Sequence, residues 1–586
     1  MRVVKKNTIY KVLISTAIAF QVGCSPAENT SFPTSETVSS DKRPNVLLIV
    51  ADDLGFSDLG AFGGEIETPN LDALAMSGIR LTSFYALPNC SPTRSMLLTG
   101  KDNHSVGLGV MAEALGSFPM LQGKPGYEGY LHPETTTISE KFSEAGFRTL
   151  MTGKWHLGHK PEHQPSNHGF DKSFVLLQGG ADHFGYGQNG GPALEAATYT
   201  EDGQLAEYPV GVYSSDFYAE RMIDYISAEA EDGAPFFAYL AFTAPHWPLQ
   251  APKDLIEKYE GRYDAGPEAL RDSRLERMKE LGLLEDELLS ANLTSLNAWD
   301  EMSSEERQIA SRNMEIYAAM VDSLDQNVGK VLDHLRVTDQ FDNTIIVFMS
   351  DNGAEGIDPG HLIARSSNST PPEHKEQVLA TISAGNVDLE KMGSKDSFIT
   401  YGDQWARAAT APFRQFKGDT EEGGIRTPAF ITGPGIRGQR IVDSPLSVRD
   451  IMPTALELTG VVEPQEQPSK ENIDGEILTP SERSWVPILT GEAETVRSKN
   501  DAMAWELFLK RGVRLGDWKA VYSKAADAAP NDRRAPSSWR LYNLKTDPSE
   551  STDVREQHPE EFKRLMTAWE MYAKENGVFV PGPRKP

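Results

Sequence analysis

Runs of apolar residues alternate with polar, glycine-rich segments along most of this chain. Four candidate strands end in a polar cluster: Val46–Val50, Phe147–Met151, Phe236–Phe242 and Thr344–Met349. The first of them, Val46–Val50, is continuously apolar. An uninterrupted apolar run of this length indicates a strand buried on both faces, as in the middle of a parallel sheet. The polar residues that follow these strands are therefore expected at the carboxyl edge of one sheet, where open α/β folds bind ligands.

Helical patterns lie between these strands. In Glu305–Leu335 apolar residues recur every three or four positions, which predicts a helix with one face on the sheet. A shorter helix is predicted at Thr137–Ala145. Alternating strands and helices favour an α/β domain with a mainly parallel mixed sheet sandwiched by helices. Residues Gly356–Arg407 have weak periodicity and are expected to form long loops over the functional face.

The last third of the chain has a different pattern. At 586 residues the chain is too long for one ordinary core, and a boundary is expected near Gly433-Pro434-Gly435. Beyond it, short strand patterns and an amphipathic helix at Pro559–Asn576 predict a small α+β domain with a short antiparallel sheet and no chemistry of its own. We therefore expect a large domain at residues 43–435 and a small one at 436–586.

The first 24 residues have the pattern of an export signal. Three lysines precede the apolar stretch Val12–Phe20, which is too short to span a bilayer. The pattern resembles a bacterial lipoprotein signal cleaved before Cys24, although Gln21 stands where such signals carry an aliphatic residue. We expect a periplasmic protein of a bacterium, tethered to a membrane through lipidated Cys24 and the flexible residues 25–42. A plain secretory signal with an incidental cysteine is the alternative.

The charge of the chain limits its partners. With 57 Lys and Arg against 85 Asp and Glu, the net charge is −28. Such acidity argues against nucleic-acid binding, so no nucleic-acid partner is expected. An anionic substrate must instead be attracted by a few cations within a pocket. The chain has only two cysteines, Cys24 and Cys90, which excludes a disulfide framework.

Two of the polar clusters consist of oxygen ligands. Asp52 and Asp53 follow the first strand, and Asp351 and Asn352 follow the fourth. An isolated Asp-Asp pair is more often a helix cap or a solvated turn, but two such clusters after buried strands of one domain favour a metal site. Hard oxygen ligands suit Ca²⁺ or Mg²⁺ rather than zinc. Because a thiolate is a poor ligand for such a cation, Cys90 is not expected to act as a cysteine.

The segment around Cys90 carries a family resemblance. Cys90–Arg94 reads C-S-P-T-R and is followed by L-L-T-G at residues 97–100, which resembles the C-x-P-x-R signature of sulfatases in the alkaline-phosphatase superfamily. The resemblance is strongest to bacterial arylsulfatases of the Pseudomonas type and runs from about residue 43 to residue 580. Further matching segments are Gly153–His156, Pro245–Leu249, Ser350–Gly353, and Lys417 with Glu422–Arg426.

The resemblance implies an alkaline-phosphatase-like fold, one Ca²⁺ ion and oxidation of Cys90 to formylglycine (3-oxoalanine). Its partner in maturation would be a formylglycine-generating or anaerobic sulfatase-maturating enzyme. The implied reaction is hydrolysis of a small aryl or sugar sulfate to an alcohol or phenol and inorganic sulfate. The hydrated aldehyde would attack sulfur through one hydroxyl, and its second hydroxyl would expel sulfate as the aldehyde re-forms. The implied metal ligands are Asp52, Asp53, residue 90, Asp351 and Asn352.

The resemblance also assigns roles to the cationic residues. Arg94 would fix the diol or its metal-bound oxygen, and Lys154 and Lys417 would bind sulfate oxygens. His246 is the candidate for protonating the leaving oxygen, and His156 for accepting a proton as sulfate is expelled.

Two other functions remain open at this point. Related enzymes with the same C-x-P-x-R nucleophile hydrolyse phosphonate monoesters or phosphodiesters, and a chain with an unmodified Cys90 would be a sulfated-ligand binder without turnover. Trp247, Tyr401 and Trp405 form either an apolar wall for an aromatic substrate or part of the core. The residues do not identify the natural ester.

Overall fold

The strands β1 to β16 and helices α1 to α12 come from a computed structural model. The described residues are 43–186, 197–228, 233–285, 299–357, 384–395, 397–462, 482–524 and 537–581. The expected signal and tether, and residues 358–383 of the expected loops, lie outside this part of the chain. In the part that is described, no helix has the length and hydropathy needed to cross a membrane.

The strands are β1 (Asn45–Ala51), β2 (Ile79–Leu81), β3 (Phe84–Tyr85), β4 (Arg148–Lys154), β5 (Lys172–Leu176), β6 (Tyr199–Glu201), β7 (Gln204–Ala206), β8 (Phe236–Ala241), β9 (Thr344–Ser350), β10 (Ala429–Thr432), β11 (Arg440–Val442), β12 (Leu446–Ser447), β13 (Ala502–Leu507), β14 (Lys510–Leu515), β15 (Trp518–Lys524) and β16 (Ser537–Asn543). The helices are α1 (Pro69–Ser77), α2 (Cys90–Thr99), α3 (Ile138–Glu144), α4 (Ser214–Ser227), α5 (Lys253–Lys258), α6 (Gly266–Glu280), α7 (Ser304–Val337), α8 (Gly402–Ala409), α9 (Glu422–Ile425), α10 (Ile451–Leu458), α11 (Val486–Leu489) and α12 (Pro559–Glu575).

The large sheet has ten strands among the described residues, in the order β11-β2-β10-β9-β1-β8-β4-β5-β6-β7. The four candidate strands that end in a polar cluster are the four neighbours β9, β1, β8 and β4, and each pairs in parallel with the next. The other pairings include antiparallel ones, such as β10 with β9. The prediction of a mainly parallel mixed sheet is therefore confirmed.

Successive residues of β1 face opposite layers of the molecule, because side chains alternate along a strand. Leu47 and Ile49 belong to one apolar cluster with residues of α4 and α7. Val46, Leu48 and Val50 belong to a second cluster with residues of α2, α3 and α10. Both faces of the sheet are thus covered by helices, which explains why β1 is apolar without interruption.

The small antiparallel sheet has the order β13-β14-β15-β16 and is covered by α12, so a small C-terminal α+β region is also confirmed. The large sheet extends past residue 435, where sequence analysis places the boundary, because β11 at Arg440–Val442 pairs with β2. The segment expected to form long loops contains α8, whose Trp405, Ala406 and Ala409 are buried. The sequence did not predict α8 because its eight-residue amphipathic pattern is short and is surrounded by glycines and polar residues.

Buried polar groups connect the small sheet to the large domain. His104, which follows α2, lies with Nδ1 2.9 Å from Asp102 Oδ1 and Nε2 3.0 Å from Glu506 Oε2 of β13. In β15 the Lys519 ammonium pairs with Glu422 of α9 at 2.7 Å and with Glu550 at 2.9 Å. The small sheet therefore supports two segments of the large domain through buried charges.

Candidate active site

The carboxyl ends of four neighbouring strands bring the predicted polar residues to one edge of the large sheet. This follows from the parallel pairing of β9, β1, β8 and β4, whose ends point the same way. The residues delivered there are Asp52 and Asp53 after β1, His246 after β8, Lys154 and His156 at the end of β4, and Asp351 and Asn352 after β9.

Helix α2 places Cys90 against the two aspartates after β1. Cys90 is the first residue of the helix, and its backbone N–H donates to the capping side chain of Asn89 at 2.9 Å. Its Sγ lies 3.4 Å from Asp52 Oδ1 and 3.9 Å from Asp53 Oδ1. Burial raises the pKa of the Cys90 thiol well above its usual value. The unmodified residue is therefore a neutral thiol and a weak nucleophile at this position.

Arg94 is fully buried one helical turn after Cys90 and links two strand ends. Its Nε donates to Asp351 Oδ2 at 2.9 Å, and a second guanidinium nitrogen lies 2.7 Å from the same oxygen. Another N–H donates to the Lys154 carbonyl at 2.9 Å. Burial acts to raise the pKa of Asp351, but Arg94 and the nearby lysines lower it below the usual value. Arg94 thus keeps Asp351 ionised and fixed in orientation.

Two buried lysines pair with the aspartates after β1. Lys154 Nζ lies 2.6 Å from Asp52 Oδ2, and Lys417 Nζ lies 2.8 Å from Asp53 Oδ2. Lys417 has a second partner, Glu355 Oε2, at 3.1 Å. Burial opposes the charge on Lys154, but Asp52 raises its pKa above the usual value. Both side chains therefore present positive charge within the site.

The loop that bears Lys417 is in backbone contact with the loop after β9. The Gly353 N–H donates to the Gly424 carbonyl at 3.1 Å. A Cβ atom at Gly353 would overlap the Gly423 carbonyl oxygen, so only glycine permits this approach. The spacing between Asn352 and the lysine loop is therefore set by main-chain atoms.

The oxygen ligands fit a hard divalent cation. Asn352 Nδ2 donates to Asp53 Oδ1 at 2.7 Å and to the Gly353 carbonyl at 2.9 Å, which fixes the orientation of the amide. Its Oδ1 is buried without a hydrogen-bond partner among the described residues. Burial raises the pKa of Asp53 to about 7 and also raises that of Asp52. A cation held by these oxygens would satisfy the amide and stabilise both carboxylates, and the donor set suits Ca²⁺.

His246 lies beside the same carboxylates. Possible ligand atoms of Asp52, Asp53, Cys90 and His246 lie within 4.8 Å of one another, and His246 Nε2 is 3.7 Å from Asp53 Oδ2. Its Nδ1 is 2.6 Å from the Trp247 carbonyl, so Nδ1 carries the proton of the neutral ring. Burial, followed by Lys417, holds the pKa of His246 well below its usual value.

His156 has a carboxylate partner that sequence analysis does not identify. Its Nε2 lies 3.2 Å from Glu113 Oε2, and the other oxygen of Glu113 is 3.5 Å from His159 Nε2. Nδ1 of His156 is buried and has no hydrogen-bond partner in the described structure. Burial lowers the pKa of His156 to about 4. The ring is thus neutral, with the Nε2 proton directed to Glu113 and a lone pair on Nδ1.

Backbone strain coincides with two of these residues. Asp53 has φ of 72° and His156 has φ of 59°, which is the left-handed region that non-glycine residues rarely adopt. Each such residue costs about 1–3 kcal/mol and persists where the surroundings fix it. The Asp53 N–H donates to Asp351 Oδ1 at 3.3 Å, which is one such restraint.

Helix α7, predicted to lie with one face on the sheet, also stabilises the loop after β1. The Tyr317 hydroxyl donates to Asp58 Oδ2 at 2.6 Å, and the Gly55 N–H donates to the same oxygen at 2.7 Å. Arg274 of α6 pairs with the other Asp58 oxygen at 2.6 Å. The loop that carries Asp52 and Asp53 is therefore fixed by buried polar contacts behind it.

Of the three candidates for an apolar wall, Trp247 borders the site. It is half-buried, and its ring lies 4.6 Å from that of His246 and 5.7 Å from that of Phe398. Trp405 is 1% exposed and donates to the Ala310 carbonyl, and Tyr401 stacks on Tyr317. The latter two belong to the core, which was the other reading of their sequence positions.

Two curated relatives are similar to this sequence over most of its length. An uncharacterized sulfatase of Schizosaccharomyces pombe is 43% identical over 550 residues, covering 92% of this chain and 95% of that protein. An arylsulfatase of Klebsiella aerogenes is 38% identical over 426 residues, covering 72% of this chain and 88% of that protein.

Solved structures share the fold. Ps i-CgsB has a TM-score of 0.61 at 23% identity, covering 91% of this chain and 94% of its own. BT4656, solved with its substrate D-glucosamine-2-N,6-O-disulfate, has a TM-score of 0.57 at 20% identity, covering 93% of this chain and 100% of its own. The expected alkaline-phosphatase-like fold is thereby confirmed. The sulfatase family model matches residues 44–461, and the chain therefore belongs to the sulfatase family and is a sulfuric ester hydrolase.

Proposed function

We propose that this sulfatase is an arylsulfatase that hydrolyses small sulfate monoesters through a formylglycine at position 90 with the help of Ca²⁺. The observation that carries the proposal is the position of Cys90 at the start of α2, 3.4 Å from Asp52 and on the edge that holds both buried lysines. The 38% identical arylsulfatase of Klebsiella aerogenes supports the same activity.

Formylglycine and a divalent cation would supply chemistry that the unmodified chain lacks. Formylglycine, once formed, supplies a hydrated aldehyde as nucleophile. A divalent cation, once bound by Asp52, Asp53, Asp351 and Asn352, supplies positive charge next to the reacting oxygens.

The chain's own cations bind and orient the sulfate group. Lys154 and Lys417 present charge from two sides of the aspartate pair, and sulfate oxygens gain negative charge as the ester bond breaks. Because both lysines are buried, water does not screen these interactions. Arg94 holds Asp351 ionised and fixes the ends of β4 and β9 relative to each other.

The histidine tautomers suit the proton transfers proposed for them. His156 has its Nε2 proton directed to Glu113 and a buried lone pair on Nδ1, so it is ready to accept a proton. His246 has its proton on Nδ1, so Nε2 must gain a proton before it passes one to a leaving oxygen. Phenolate leaves with little help, whereas an alkoxide needs that proton, so His246 matters most for alkyl and sugar esters.

The substrate class is narrowed by the border of the site. The half-buried Trp247 beside His246 offers a flat apolar face to a phenol ring or to the apolar face of a sugar. We propose a small aryl or sugar sulfate, and the sugar disulfate bound by BT4656 is consistent with the second possibility. A phosphonate monoester or phosphodiester hydrolase is the alternative with the same nucleophile, but the relatives named as sulfatases favour sulfate.

The test combines mass and turnover. Conversion of Cys90 to formylglycine lowers the intact mass by about 18 Da, and material with that mass is expected to cleave 4-nitrophenyl sulfate faster than 4-nitrophenyl phenylphosphonate. The Cys90→Ala protein is the control and is expected to cleave neither. Faster phosphonate cleavage would support the alternative hydrolase. An unmodified thiol in protein that binds sulfate esters without turnover would support the sulfated-ligand binder.

Export, lipidation and maturation belong to the same proposal. We propose a maturating enzyme of the formylglycine-generating or anaerobic type, which must act before folding because Cys90 is 2% exposed. The leader and Cys24 would place the mature protein on a periplasmic membrane face. Expression with labelled palmitate tests this: label is expected in the membrane fraction of the wild type and absent from Cys24→Ala. Unlabelled wild-type protein in the soluble fraction would favour a plain secretory signal.

A further inference from the structure

Lys417, the lysine proposed to bind sulfate, is shared by two carboxylates. Asp53 Oδ2 lies 2.8 Å from its Nζ and Glu355 Oε2 lies 3.1 Å from it. The Glu355 side chain is 14% exposed. Its other oxygen accepts the Ile357 N–H at 2.9 Å, so the carboxylate is held in place. Sequence analysis gives Glu355 no role, and it lies two residues beyond the matching segment Ser350–Gly353.

Lys417 does not need Glu355 to be paired. Asp53 already lies at hydrogen-bonding distance, and a second partly buried carboxylate beside it adds a desolvation cost. Repulsion between the two carboxylates adds to that cost, since an oxygen of each lies within about 3.1 Å of the same Lys417 Nζ. An unfavourable second carboxylate next to a substrate-binding lysine indicates a functional role rather than a structural one.

The charged groups of the site form two ion-paired sets and are unequal in number. Lys417 pairs with Asp53 and Glu355. The second set contains the cations Arg94 and Lys154 and the carboxylates Asp52 and Asp351. The sum over both sets is −1, and a bound divalent cation changes it to +1. That charge is equal and opposite to the single negative charge of a sulfate monoester. Without Glu355 it would be +2, which matches the doubly charged form of a phosphate monoester.

We propose that Glu355 is a specificity-determining residue that makes the site select singly charged esters over doubly charged ones. This inference rests on the proposed function, in which Lys417 binds the ester's charged oxygens. With a bound sulfate monoester, Lys417 interacts with the single negative charge of the ester and with the carboxylate of Glu355. A phosphate monoester brings a second charge into the same low-dielectric region, where the fixed carboxylate repels it.

The test is the ratio of two esters that differ in charge. For wild type, Glu355→Gln and Glu355→Asp, kcat/KM is measured with 4-nitrophenyl sulfate and 4-nitrophenyl phosphate at about pH 8, where the phosphate ester is doubly charged. Glu355→Gln keeps the size of the side chain and an oxygen for the Ile357 N–H. The phosphate-to-sulfate ratio is expected to rise at least about tenfold in Glu355→Gln and to stay near wild type in Glu355→Asp.

Glu113→Gln is the matched control, because it removes a carboxylate from His156 rather than from Lys417. It is expected to change the ratio by less than about threefold, since exposed charges are screened. An equal loss on both esters in Glu355→Gln, or the same ratio change in both variants, would overturn the proposal. The first result would show a structural role, and the second would show a general effect of net charge.

A binding measurement separates this inference from the proposed function. In Cys90→Ala protein loaded with Ca²⁺, calorimetry with phenyl sulfate and phenyl phosphate gives affinities without turnover. Adding Glu355→Gln is expected to favour the phosphate at least about tenfold. If wild type cleaves neither ester while this ratio still shifts, the proposed function fails and the charge selection stands. If wild type cleaves the sulfate and the ratio does not move, the selection by Glu355 fails alone.

Discussion

Two buried clusters of charged and polar groups include residues of the segment from Lys417 to Glu422, and they differ in what their polar groups face. At the carboxyl edge of the large sheet, Asn352 Oδ1 and His156 Nδ1 have no hydrogen-bond partner among the described residues. Between the small sheet and α9, the Lys519 ammonium contacts the carboxylates of Glu422 and Glu550, and the Glu422 N–H donates to Glu550 at 2.7 Å.

The difference is the one expected between groups that are proposed to react and groups that hold the fold. The Lys519 cluster directs its charges at one another, so it fixes α9 five residues after Lys417. The cluster at the sheet edge leaves atoms available for a cation and a substrate. The described part of the small C-terminal region therefore contributes to the position of the loop that bears Lys417.

The largest expected effect is on catalysis. Cys90→Ala removes the proposed nucleophile, and kcat/KM with 4-nitrophenyl sulfate is expected to fall at least about 10³-fold. The free energy of unfolding, measured by urea denaturation, is expected to change by about 1 kcal/mol or less, because one sulfur atom is lost from a site that is not packed to hold the fold. A large loss of stability would mean that the site also holds the structure together.

In contrast to Cys90→Ala, Lys519→Met is expected to lower stability. It removes the lysine that Glu422 and Glu550 share, and the free energy of unfolding is expected to fall by about 3–5 kcal/mol. Urea denaturation of the single variant, of Glu422→Gln and of the double variant gives the coupling between the two residues. Coupling near zero would contradict the assignment of Lys519 as a structural partner of Glu422.

The His104 network predicts a pH dependence of stability. Burial opposes the charge on His104, but its bonds to Asp102 and Glu506 raise the pKa to about 9. A raised folded-state pKa stabilises the protein below the unfolded value of about 6.5 and loses this effect as pH rises to about 9. Unfolding free energy is therefore expected to fall by about 3 kcal/mol across that window. His104→Gln is expected to flatten the curve there, and an unchanged slope would argue against a protonated imidazole.

The smallest expected effect is at Glu113, which positions His156. Glu113→Gln no longer holds the Nε2 proton with a charged acceptor, and kcat is expected to fall about tenfold with KM nearly unchanged. The pH–rate profile measures the role directly. Loss of the carboxylate favours deprotonation of His156, so the limb of the profile that reports the pKa of His156 is expected to shift to lower pH. Glu113→Asp is the control that keeps the charge. A profile identical to wild type would limit Glu113 to a structural role.

Local pattern predicts the strands that carry the site but not the contacts that complete it. β1, β4, β8 and β9 are buried along their whole length, and the polar residues at their carboxyl ends meet at one edge as expected. Glu113 lies 43 residues before His156 in an irregular segment, so no periodicity connects the two. Lys519 and Glu422 are 97 residues apart and their pairing depends on tertiary packing. The position of Glu355 near the site could have been predicted from the sequence, because Glu355 follows Asp351 and Asn352 in the same loop.

The glycine contact between Gly353 and Gly423 has a consequence for how this enzyme changes over evolution. Main-chain atoms, rather than side chains, set the separation between the loop with Asp351 and Asn352 and the loop bearing Lys417. Side chains lining the cleft are therefore free to vary for new alcohols or sugars while the charged centre keeps its dimensions. Any residue larger than glycine at position 353 would push the two loops apart and misalign them together.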